Sequence, residues 1–402
     1  MIKLNNSKDC CGCSACSGAC PRSCISIVTD SEGFYYPKIN ESVCIECNLC
    51  TKSCPIINNS KIEKEFPQFG YVVQHRDQKI LKESTSGGAF TGFAEYVIGK
   101  GGVVVGAAFN DKMVVEHVIV DDVSDLFKFR NSKYVQSYIN PSIFDQIKQI
   151  LKEGRLVCFS GTACQIEGLL CFLGKDRPDN LLCVDVVCRA VPSPLIFQKY
   201  LEYQQVYQGE RIKKVRFRDK FYGYHFSTLQ MSFVNKSSEY HRGIESDPWL
   251  RAFFSGICNR PSCYACVFKK RYRSSDITIW DCFNYDSKFR SMLPNMGATN
   301  VLIHTPRGVE LFDKVKPFFI VESVKVDEQV STIKEMTNST NLHPNRNIFF
   351  KDAVRLDGFT LFSTYFPITI KHSIMFYLRF IFIKLGVYNM VKKIVKHGKT
   401  VN

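Results

Sequence analysis

The sequence predicts a chain of mixed α+β and α/β architecture, with a cysteine-rich unit before an α/β body and a basic helical tail after it. Three observations predict this. Ten of the 19 cysteines in the 402 residues lie before residue 55. Strand-like and helix-like apolar segments alternate over residues 66–305. Residues 371–399 contain seven Lys/Arg and no Asp/Glu. The predicted domains are 1–57, 66–143, 150–325 and 326–402.

The N-terminal unit contains a duplicated cysteine motif. Cys10, Cys13, Cys16 and Cys20-Pro21 match Cys44, Cys47, Cys50 and Cys54-Pro55 position for position. The Cys-x2-Cys-x2-Cys-x3-Cys-Pro spacing is typical of a bacterial-type dicluster ferredoxin with two 4Fe–4S clusters, in which each fourth cysteine ligates the other cluster. We therefore expect Cys54 to join the first three cysteines and Cys20 to join Cys44, Cys47 and Cys50. A pair of zinc sites is the alternative. Cys11 and Cys24 are expected to be plain buried thiols.

The elements of the body follow from apolar runs and helical periodicity. Between the two cysteine runs, residues 25–28 and 34–36 flank a Gly-containing turn and predict a β-hairpin. Strand–helix–strand order with short loops favours a layer containing parallel strands. Strands are predicted at 103–108, 156–159 and 181–187, helices at 90–98, 143–151, 165–173 and 194–203, and further strands at 214–217, 228–234 and 277–280.

Six segments of the body carry a family resemblance. They are 84–90 (STSGGAF), 132–137 (SKYVQS), 159–166 (FSGTACQI), 187–194 (VCRAVPSP), 260–266 (RPSCYAC) and 275–279 (SDITI). In this order, behind a dicluster motif, they make the chain resemble the beta-subunit family of coenzyme F420 hydrogenases and dehydrogenases. The resemblance implies a flavoprotein in which FAD lies beside a further 4Fe–4S cluster and exchanges a hydride with the deazaflavin coenzyme or a similar donor.

The resemblance also implies a set of flavin-binding residues. Ser86-Gly87-Gly88 and Gly161-Thr162 open helices, whose free N–H groups favour phosphate oxygens. Lys133 and Arg260 are expected to add positive charge toward a pyrophosphate. The cofactor-binding residues predicted in this way are Ser86, Gly87, Gly88, Lys133, Tyr134, Gln136, Ser160, Gly161, Thr162 and Gln165. For the Gly pair the alternative is a tight turn, and for Tyr134 it is a core tyrosine.

A third cluster is expected in the body. Cys263 and Cys266 form a Cys-x2-Cys pair, and Cys164 and Cys188 lie near predicted strand ends, so these four are the predicted ligands. Cys258 is held in reserve, whereas Cys158, Cys171 and Cys183 lie in apolar runs and are expected in the core. Two segments depart from the family. Arg189-Ala190 replaces a common His-Gly pair, and Trp280-Asp281-Cys282 replaces Gly-Asp and an aromatic segment, which makes Cys282 another candidate ligand.

These observations predict a flavin and iron–sulfur oxidoreductase that passes electrons between its 4Fe–4S clusters and a hydride carrier. The carrier is expected to be reduced coenzyme F420 or NAD(P)H. The expected partner is such a coenzyme or a redox partner protein. The alternative is a non-catalytic electron relay or scaffold with a degenerate flavin site, in polysaccharide biosynthesis or another pathway. No catalytic acid or base is predicted. The N-terminus lacks a secretory apolar segment, so a reducing cytoplasm is expected.

The formal net charge of +15 lies downstream of residue 57, since residues 1–57 contain five Lys/Arg and five Asp/Glu. Basic and aromatic residues alternate at 212–218 and 269–273, which can suit nucleic acid. No nucleic-acid-binding motif accompanies them, and we expect a docking patch for an acidic partner instead. The C-terminal basic helix predicts either a peripheral membrane contact or packing on the protein's own core or a partner. Of these two, packing is preferred.

Overall fold

The computed structural model describes residues 2–4, 6–59, 65–174 and 177–388. Its N-terminal unit consists of two short helical turns, α1 (Ala15–Gly18) and α2 (Leu49–Lys52), and an antiparallel hairpin of β1 (Ile25–Thr29) and β2 (Tyr35–Ile39). Ile25 pairs with Ile39 and Thr29 with Tyr35 across the hairpin. The hairpin predicted from the sequence is therefore present.

Eleven further strands form the sheets of the body. They are β3 (Phe69–His75), β4 (Val103–Phe109), β5 (Val115–Val120), β6 (Val157–Thr162), β7 (Leu181–Val186), β8 (Ile212–Asp219), β9 (Thr228–Phe233), β10 (Tyr240–Arg242), β11 (Ile277–Asp281), β12 (Thr299–Ile303) and β13 (Phe319–Val324). The large sheet has the order β13-β3-β12-β11-β7-β6-β4-β5. Strands β4, β6, β7 and β11 are parallel to one another and the outer pairings are antiparallel.

Helices cover the large sheet and the remaining strands. They are α3 (Gln78–Glu83), α4 (Ala89–Gly99), α5 (Ser142–Lys152), α6 (Ala163–Leu173), α7 (Pro194–Gln208), α8 (Pro248–Ser255), α9 (Pro306–Val315), α10 (Val326–Ser331), α11 (Arg346–Arg355), α12 (Gly358–Tyr365) and α13 (Ile370–Lys384). The mixed α/β body predicted from the sequence is confirmed. The predicted segments 66–143 and 150–325 contribute strands to the same large sheet, since β4 pairs with β6.

The parallel strands are buried on both faces. Val104, Cys158 and Leu182 point into a core formed with α4 and α9, whereas their neighbours Val103, Val157 and Leu181 point into a core formed with α5 and α6. This separation follows from the two-residue side-chain period of a strand. Helix α1 of the N-terminal unit packs on α5 and α6, and so joins the second core. The N-terminal unit thus lies directly on the helices that cover the sheet.

A second, three-stranded sheet of β8, β9 and β10 encloses an aromatic core with the helices beside it. Phe197 of α7, Phe217 of β8 and Trp249 of α8 are fully buried there, with Phe362 of α12. Phe34 of the N-terminal hairpin also enters this core. The hairpin and α1 therefore fix the N-terminal unit to two different parts of the body.

The C-terminal region consists of α10 to α13 as far as it is described. The sequence stretch 371–399 predicted as a basic helix is helical to Lys384, and residues 389–402 lie outside the described part. Among the described residues no single helix is long and apolar enough to cross a membrane, although α12 and α13 together meet the length and composition test with a bend of 75° between them.

Candidate functional site

The two halves of the cysteine repeat have the same backbone conformation. Gly12 and Glu46, at equivalent positions, both have positive φ (74° and 51°), and so do Ser14 and Asn48 (64° and 59°). Each left-handed residue before the helical turn brings the chain around so that its carbonyl accepts two backbone N–H bonds, from Ser17 and Gly18 in the first half. Asn48 accepts the same two bonds from Thr51 and Lys52. The sequence duplication is therefore a structural duplication.

Cys54 lies with the cysteines of the other half, as the repeat predicts. One cavity of about 570 Å³ is lined by Cys10, Cys13, Cys16 and Cys54, called here the first set. This volume falls in the range of ligand pockets, about 300–1,000 Å³. Burial raises the pKa of Cys16 to about 12, and the sulfurs of Cys10, Cys54 and Cys50 add to the shift. Thiols in such surroundings stay protonated at neutral pH unless a metal stabilises the thiolate.

The second set, Cys20, Cys44, Cys47 and Cys50, lines a separate pocket. Cys24 lies in the same pocket, with its sulfur 3.2 Å from that of Cys20. The two sets are adjacent, because Cys50 of the second set contributes to the raised pKa of Cys16 in the first. Cys47 is exposed, and Cys50 is buried. The second set therefore lies at the protein surface, and the first lies between it and the body.

The third set gathers the four body cysteines predicted as ligands. Cys164 is the second residue of α6, Cys188 follows β7, and Cys263 and Cys266 lie on the loop after α8. Burial raises the pKa of Cys188 to about 12, with Cys164 and Cys266 adding to the shift and Lys269 opposing it. Burial also raises the pKa of Cys263, with Cys188, Cys266 and Cys164 contributing. The four sulfurs are thus mutual neighbours, although they come from three separate stretches of the chain.

The other cysteines of the body lie elsewhere. Cys258, held in reserve by the sequence interpretation, is fully buried in the aromatic core. Cys282 packs in a small cluster with Tyr224 and Tyr285. Cys158 and Cys183 are buried in the cores on the two faces of the sheet. The positions of these four agree with a packing role, whereas Cys171, which is also expected in the core, is only partly buried on α6.

Cys11 was interpreted from the sequence as a plain buried thiol, but it joins the first and third sets. Its thiol lies close enough to those of Cys13 and Cys164 to shift its pKa and theirs. Helix α6 approaches so closely that a Cβ on Gly168 would lie 2.8 Å from Cβ of Cys13. The Cys10-Cys11 doublet is the only sequence signal for this position, and a doublet does not indicate contact with a residue 153 positions away.

Arg260 also connects the N-terminal unit to the third set. Its guanidinium is fully buried and donates to the carbonyls of Cys10 (2.8 Å) and Tyr35 (3.0 Å) and to Oε1 of Gln136 (3.3 Å). These three acceptors are all uncharged. The guanidinium also lies 4.1 Å from the ring centroid of Tyr36. The sequence predicts that Arg260 contacts a pyrophosphate, whereas in the structure it donates a hydrogen bond to the backbone of Cys10 in the first set.

One buried ion pair and one lysine hold the loop that carries the third set. Asp185 and Arg273 form an ion pair with both side chains buried, and Asp185 also accepts from Ser275 Oγ (2.7 Å). Lys269 Nζ donates to the carbonyls of Cys188 and Arg189. Lys269 and Arg273 of the basic run 269–273 therefore contact other parts of the same chain. The sequence instead predicts this run as a docking patch on the surface.

Seven of the ten predicted flavin residues lie at two places on one edge of the large sheet. Thr162 pairs with Val186 at the ends of β6 and β7, and Asp281 pairs with Thr299 at the end of β11. This is the carboxyl edge of the parallel strands, where α/β proteins bind ligands. Ser160 to Gln165 lie beside the third set, and Ser86 to Gly88 lie beside Thr299.

The Ser86-Gly87-Gly88 loop is held by contacts within the chain. Gly87 N donates to Thr299 Oγ1 (2.8 Å), and a Cβ on Gly87 would lie 2.2 Å from the carbonyl oxygen of Val73. Lys220 Nζ donates to the carbonyls of Leu81 (2.7 Å) and Ser86 (2.6 Å). Close packing against β3 therefore explains the glycine at 87, which is the tight-turn interpretation. The N–H of Gly87 is already engaged by Thr299 Oγ1.

Lys133 and Tyr134 are likewise directed inward. Lys133 Nζ donates to the carbonyls of Lys128 (2.7 Å) and Arg130 (3.1 Å), and burial lowers its pKa to about 7. Tyr134 stacks on Phe253 with ring centroids 4.4 Å apart. The structure thus gives both residues a role inside the chain.

Gln136 and the loop at the start of α6 lie where the N-terminal unit meets the body. Gln136 is buried and accepts from Arg260. Gln165 and Thr162 form a capping box at the start of α6, and Gln165 Nε2 donates to Ser137 Oγ (2.8 Å). Ser160 and Gly161 precede Thr162, the last residue of β6, and the carbonyl of Ser160 contacts His117 Nε2 at 3.1 Å. Of the predicted flavin residues, this group lies nearest to the third set.

The two segments that depart from the family are also accounted for by packing. Arg189 pairs with Glu335 (2.9 Å) and lies over Phe254. Trp280 is buried with Leu302 and Met336. Asp281 accepts from Tyr224 Oη (2.9 Å) and pairs with Arg218.

The described residues contain no group of three or more His, Cys, Asp or Glu side chains arranged around a single metal ion. In a 4Fe–4S cubane each cysteine binds a different iron, so its ligand sulfurs need not converge on one point. Four thiols around each of three places are the donor set that such clusters take.

A protein-family match covers the segment of the chain that holds the third set. Residues 154–329 match the family described as the C terminus of the coenzyme F420 hydrogenase/dehydrogenase beta subunit. No curated protein matches the chain. A chain from the F420-reducing NiFe hydrogenase complex of Methanosarcina barkeri, studied by xenon derivatization, is similar with 18% identity. That alignment covers 76% of this chain and 92% of that chain, with a TM-score of 0.41.

Proposed function

We propose that the chain is an iron–sulfur oxidoreductase that moves electrons through three 4Fe–4S clusters, held by the first, second and third sets of cysteines. The observation that carries the proposal is their order in space. The second set adjoins the first, and Cys11 joins the first to the third across the contact between α1 and α6. The family of residues 154–329 is named for hydrogenases and dehydrogenases, which supports an oxidoreductase.

The chain's own residues supply the surroundings that such clusters need. When bound, each cluster takes up and releases single electrons. Cys16 is buried, and Cys188 and Cys263 are partly buried, which limits the access of water to these cluster ligands. The positive charges of Arg260, Lys269 and Arg273 lie beside the first and third sets and oppose the negative charge of thiolate-ligated clusters. Charge and hydrogen bonds near a cluster set its potential.

The exposed second set supports exchange with a redox partner protein. Cys47 is exposed, and beside it Ile45 and Leu49 are 60% and 40% exposed. Exposed apolar residues next to a cluster site suit transient protein contacts. In this arrangement electrons pass between a surface partner at the second set and the carboxyl edge of the sheet at the third.

A finer part of the proposal concerns the hydride donor. We infer that FAD binds near Ser160 to Gln165, next to the third set, and that reduced coenzyme F420 or NAD(P)H is the donor. Support comes from the family and from the edge of the sheet. No step of the proposal is assigned to the loop 86–88, because the N–H of Gly87 is engaged by Thr299 Oγ1.

A specific observation favours the second candidate, a non-catalytic relay without flavin. Lys133, Tyr134 and Gly87 are all occupied by contacts inside the chain. A relay would keep all three clusters and need no hydride donor. The two functions differ in one measurable component, the flavin.

The test is anaerobic purification of the full chain with iron, sulfide and flavin quantified together. Three cubanes predict about 12 irons and 12 sulfides per chain. The variant Cys263→Ser/Cys266→Ser should lose about four irons, whereas Cys158→Ser, a core thiol, should lose none. One flavin per chain would support the FAD assignment. Full iron without flavin would favour the relay, and about eight irons in the unmodified chain would refute the third cluster.

A further inference from the structure

The rotation of helix α13 is fixed by contacts on one of its faces. Phe376 is buried against Phe226 and Tyr222. Arg379, one turn further along, pairs with Glu245 (2.7 Å), and its guanidinium lies 4.5 Å from the ring centroid of Phe226. The face of α13 that contains Phe376 and Arg379 therefore packs against the body, and the residues on the opposite face of the helix point away from the body.

The opposite face of α13 is apolar and exposed. Ile370, Ile374, Leu378, Ile381 and Leu385 follow one another at intervals of four, four, three and four residues, which places them on one stripe of a helix. Their exposed fractions are 80%, 52%, 44%, 47% and 68%. Fully buried Phe376 lies on the other side. We call this stripe the outer apolar stripe.

The charges around the outer apolar stripe are all positive. Lys371 and Lys384 are exposed and flank it on its two sides. From residue 358 to the end of the chain the sequence contains seven Lys/Arg and no Asp/Glu. The inner Arg379 is neutralised by Glu245, which leaves the outer side with lysines alone.

We propose that α13 docks on an anionic lipid surface, with the outer apolar stripe in the headgroup–acyl boundary and the lysines on lipid phosphates. An exposed apolar face bordered by lysines is the pattern of helices that lie in the plane of a membrane interface, and basic residues beside it are attracted to anionic leaflets. A second copy of the chain fits less well, because a symmetric pair of these faces would bring lysines of like sign together.

The experiment is flotation of the purified full chain with vesicles of phosphatidylcholine alone, and of three parts phosphatidylcholine to one part phosphatidylglycerol. The expected result is binding to the anionic vesicles that weakens with added salt. Ile374→Glu/Ile381→Glu should bind about tenfold more weakly or worse, since each change removes an apolar side chain from the interface. Lys371→Gln/Lys384→Gln should lower affinity for the anionic vesicles only.

The matched control is Ile348→Glu/Val354→Glu on α11, where both side chains are 59% exposed. It should bind vesicles as the unmodified chain does, and all variants should keep the same circular dichroism spectrum. The proposal is overturned if the unmodified chain does not float with anionic vesicles, or if the α13 and α11 variants bind equally. It is also overturned if the chain is a dimer that Ile374→Glu/Ile381→Glu converts to monomers while no form binds vesicles.

Discussion

Replacing Arg260 by Met tests whether a buried cation tunes the clusters. Met is about as long, is apolar and fills irregular space, so Arg260→Met keeps packing near Tyr36 while it removes the charge and three donors. The carbonyls of Cys10 and Tyr35 and Oε1 of Gln136 lose their donor. Each buried acceptor left unpaired costs about 1–3 kcal/mol.

The electrostatic effect has a direction and a magnitude. Arg260 Nε lies 2.8 Å from the carbonyl oxygen of Cys10, a ligand of the first set. Standard bond lengths put a cluster on Cys10 about 8 Å away, where one unit charge contributes about 2 kcal/mol at an effective dielectric constant near 20. Because a positive charge stabilises the more negative, reduced cluster, its loss should lower the potential by roughly 50–100 mV at 59 mV per tenfold.

The assay is an anaerobic redox titration followed by electron paramagnetic resonance, with iron content measured in parallel. Arg260→Lys keeps the charge and should hold the potential closer to that of the unmodified chain. The matched control is Arg346→Met/Glu32→Gln, which removes a second bridge between the hairpin and the body (2.9 Å for Nη1–Oε1) without a change in net charge. Full iron content in Arg260→Met with a potential within about 20 mV of the unmodified value would refute the reasoning, since it lies well below the expected shift.

Two further predictions concern stability. Asp185→Ala leaves Arg273 buried without its partner and should lower the free energy of unfolding by about 3–5 kcal/mol in urea, with Asp185→Ala/Arg273→Met regaining much of it; equal stability of the two variants would contradict this. Burial raises the pKa of Asp247 to about 6, so the folded state holds this proton more tightly than the unfolded state does. The resulting stability is present below about pH 4 and lost as pH rises through 6, by up to about 3 kcal/mol relative to Asp247→Asn; parallel urea midpoints of the two proteins over this range would refute it.

The sequence predicted what depends on local spacing and periodicity. The cysteine repeat predicted two groups of four, and the structure brings Cys54 and Cys20 to opposite halves as that spacing requires. Helices α4 to α7 and strands β4, β6 and β7 follow from apolar periodicity in short connected units. The grouping of Cys164 with Cys263 and Cys266 rests on a Cys-x2-Cys pair, a predicted strand end and the family-like motifs that contain them, since the intervening chain does not indicate a distance.

What the sequence could not predict depends on contacts between distant segments. Strands β3 and β12 were not identified, because their place in the sheet is set by antiparallel pairing across more than 200 residues. The same holds for Gly87, whose glycine is required by the carbonyl of Val73 and not by a ligand. The sequence predicts a phosphate contact for Arg260, but its acceptors are backbone carbonyls of the N-terminal unit. An arginine in a short motif does not indicate such distant acceptors.

The two halves of the N-terminal repeat have the same backbone conformation but different surroundings. Gly12 and Glu46 both have positive φ, yet a Cβ on Gly12 would lie 2.5 Å from Gln136 Nε2, whereas Glu46 is exposed. The left-handed turn therefore only favours glycine, and contact with the body makes glycine necessary in the first half alone. Docking has thus made the two halves of one repeat unequal: the half beside Gly12 faces Arg260 and α6, and the half beside Glu46 keeps Cys47 at the surface.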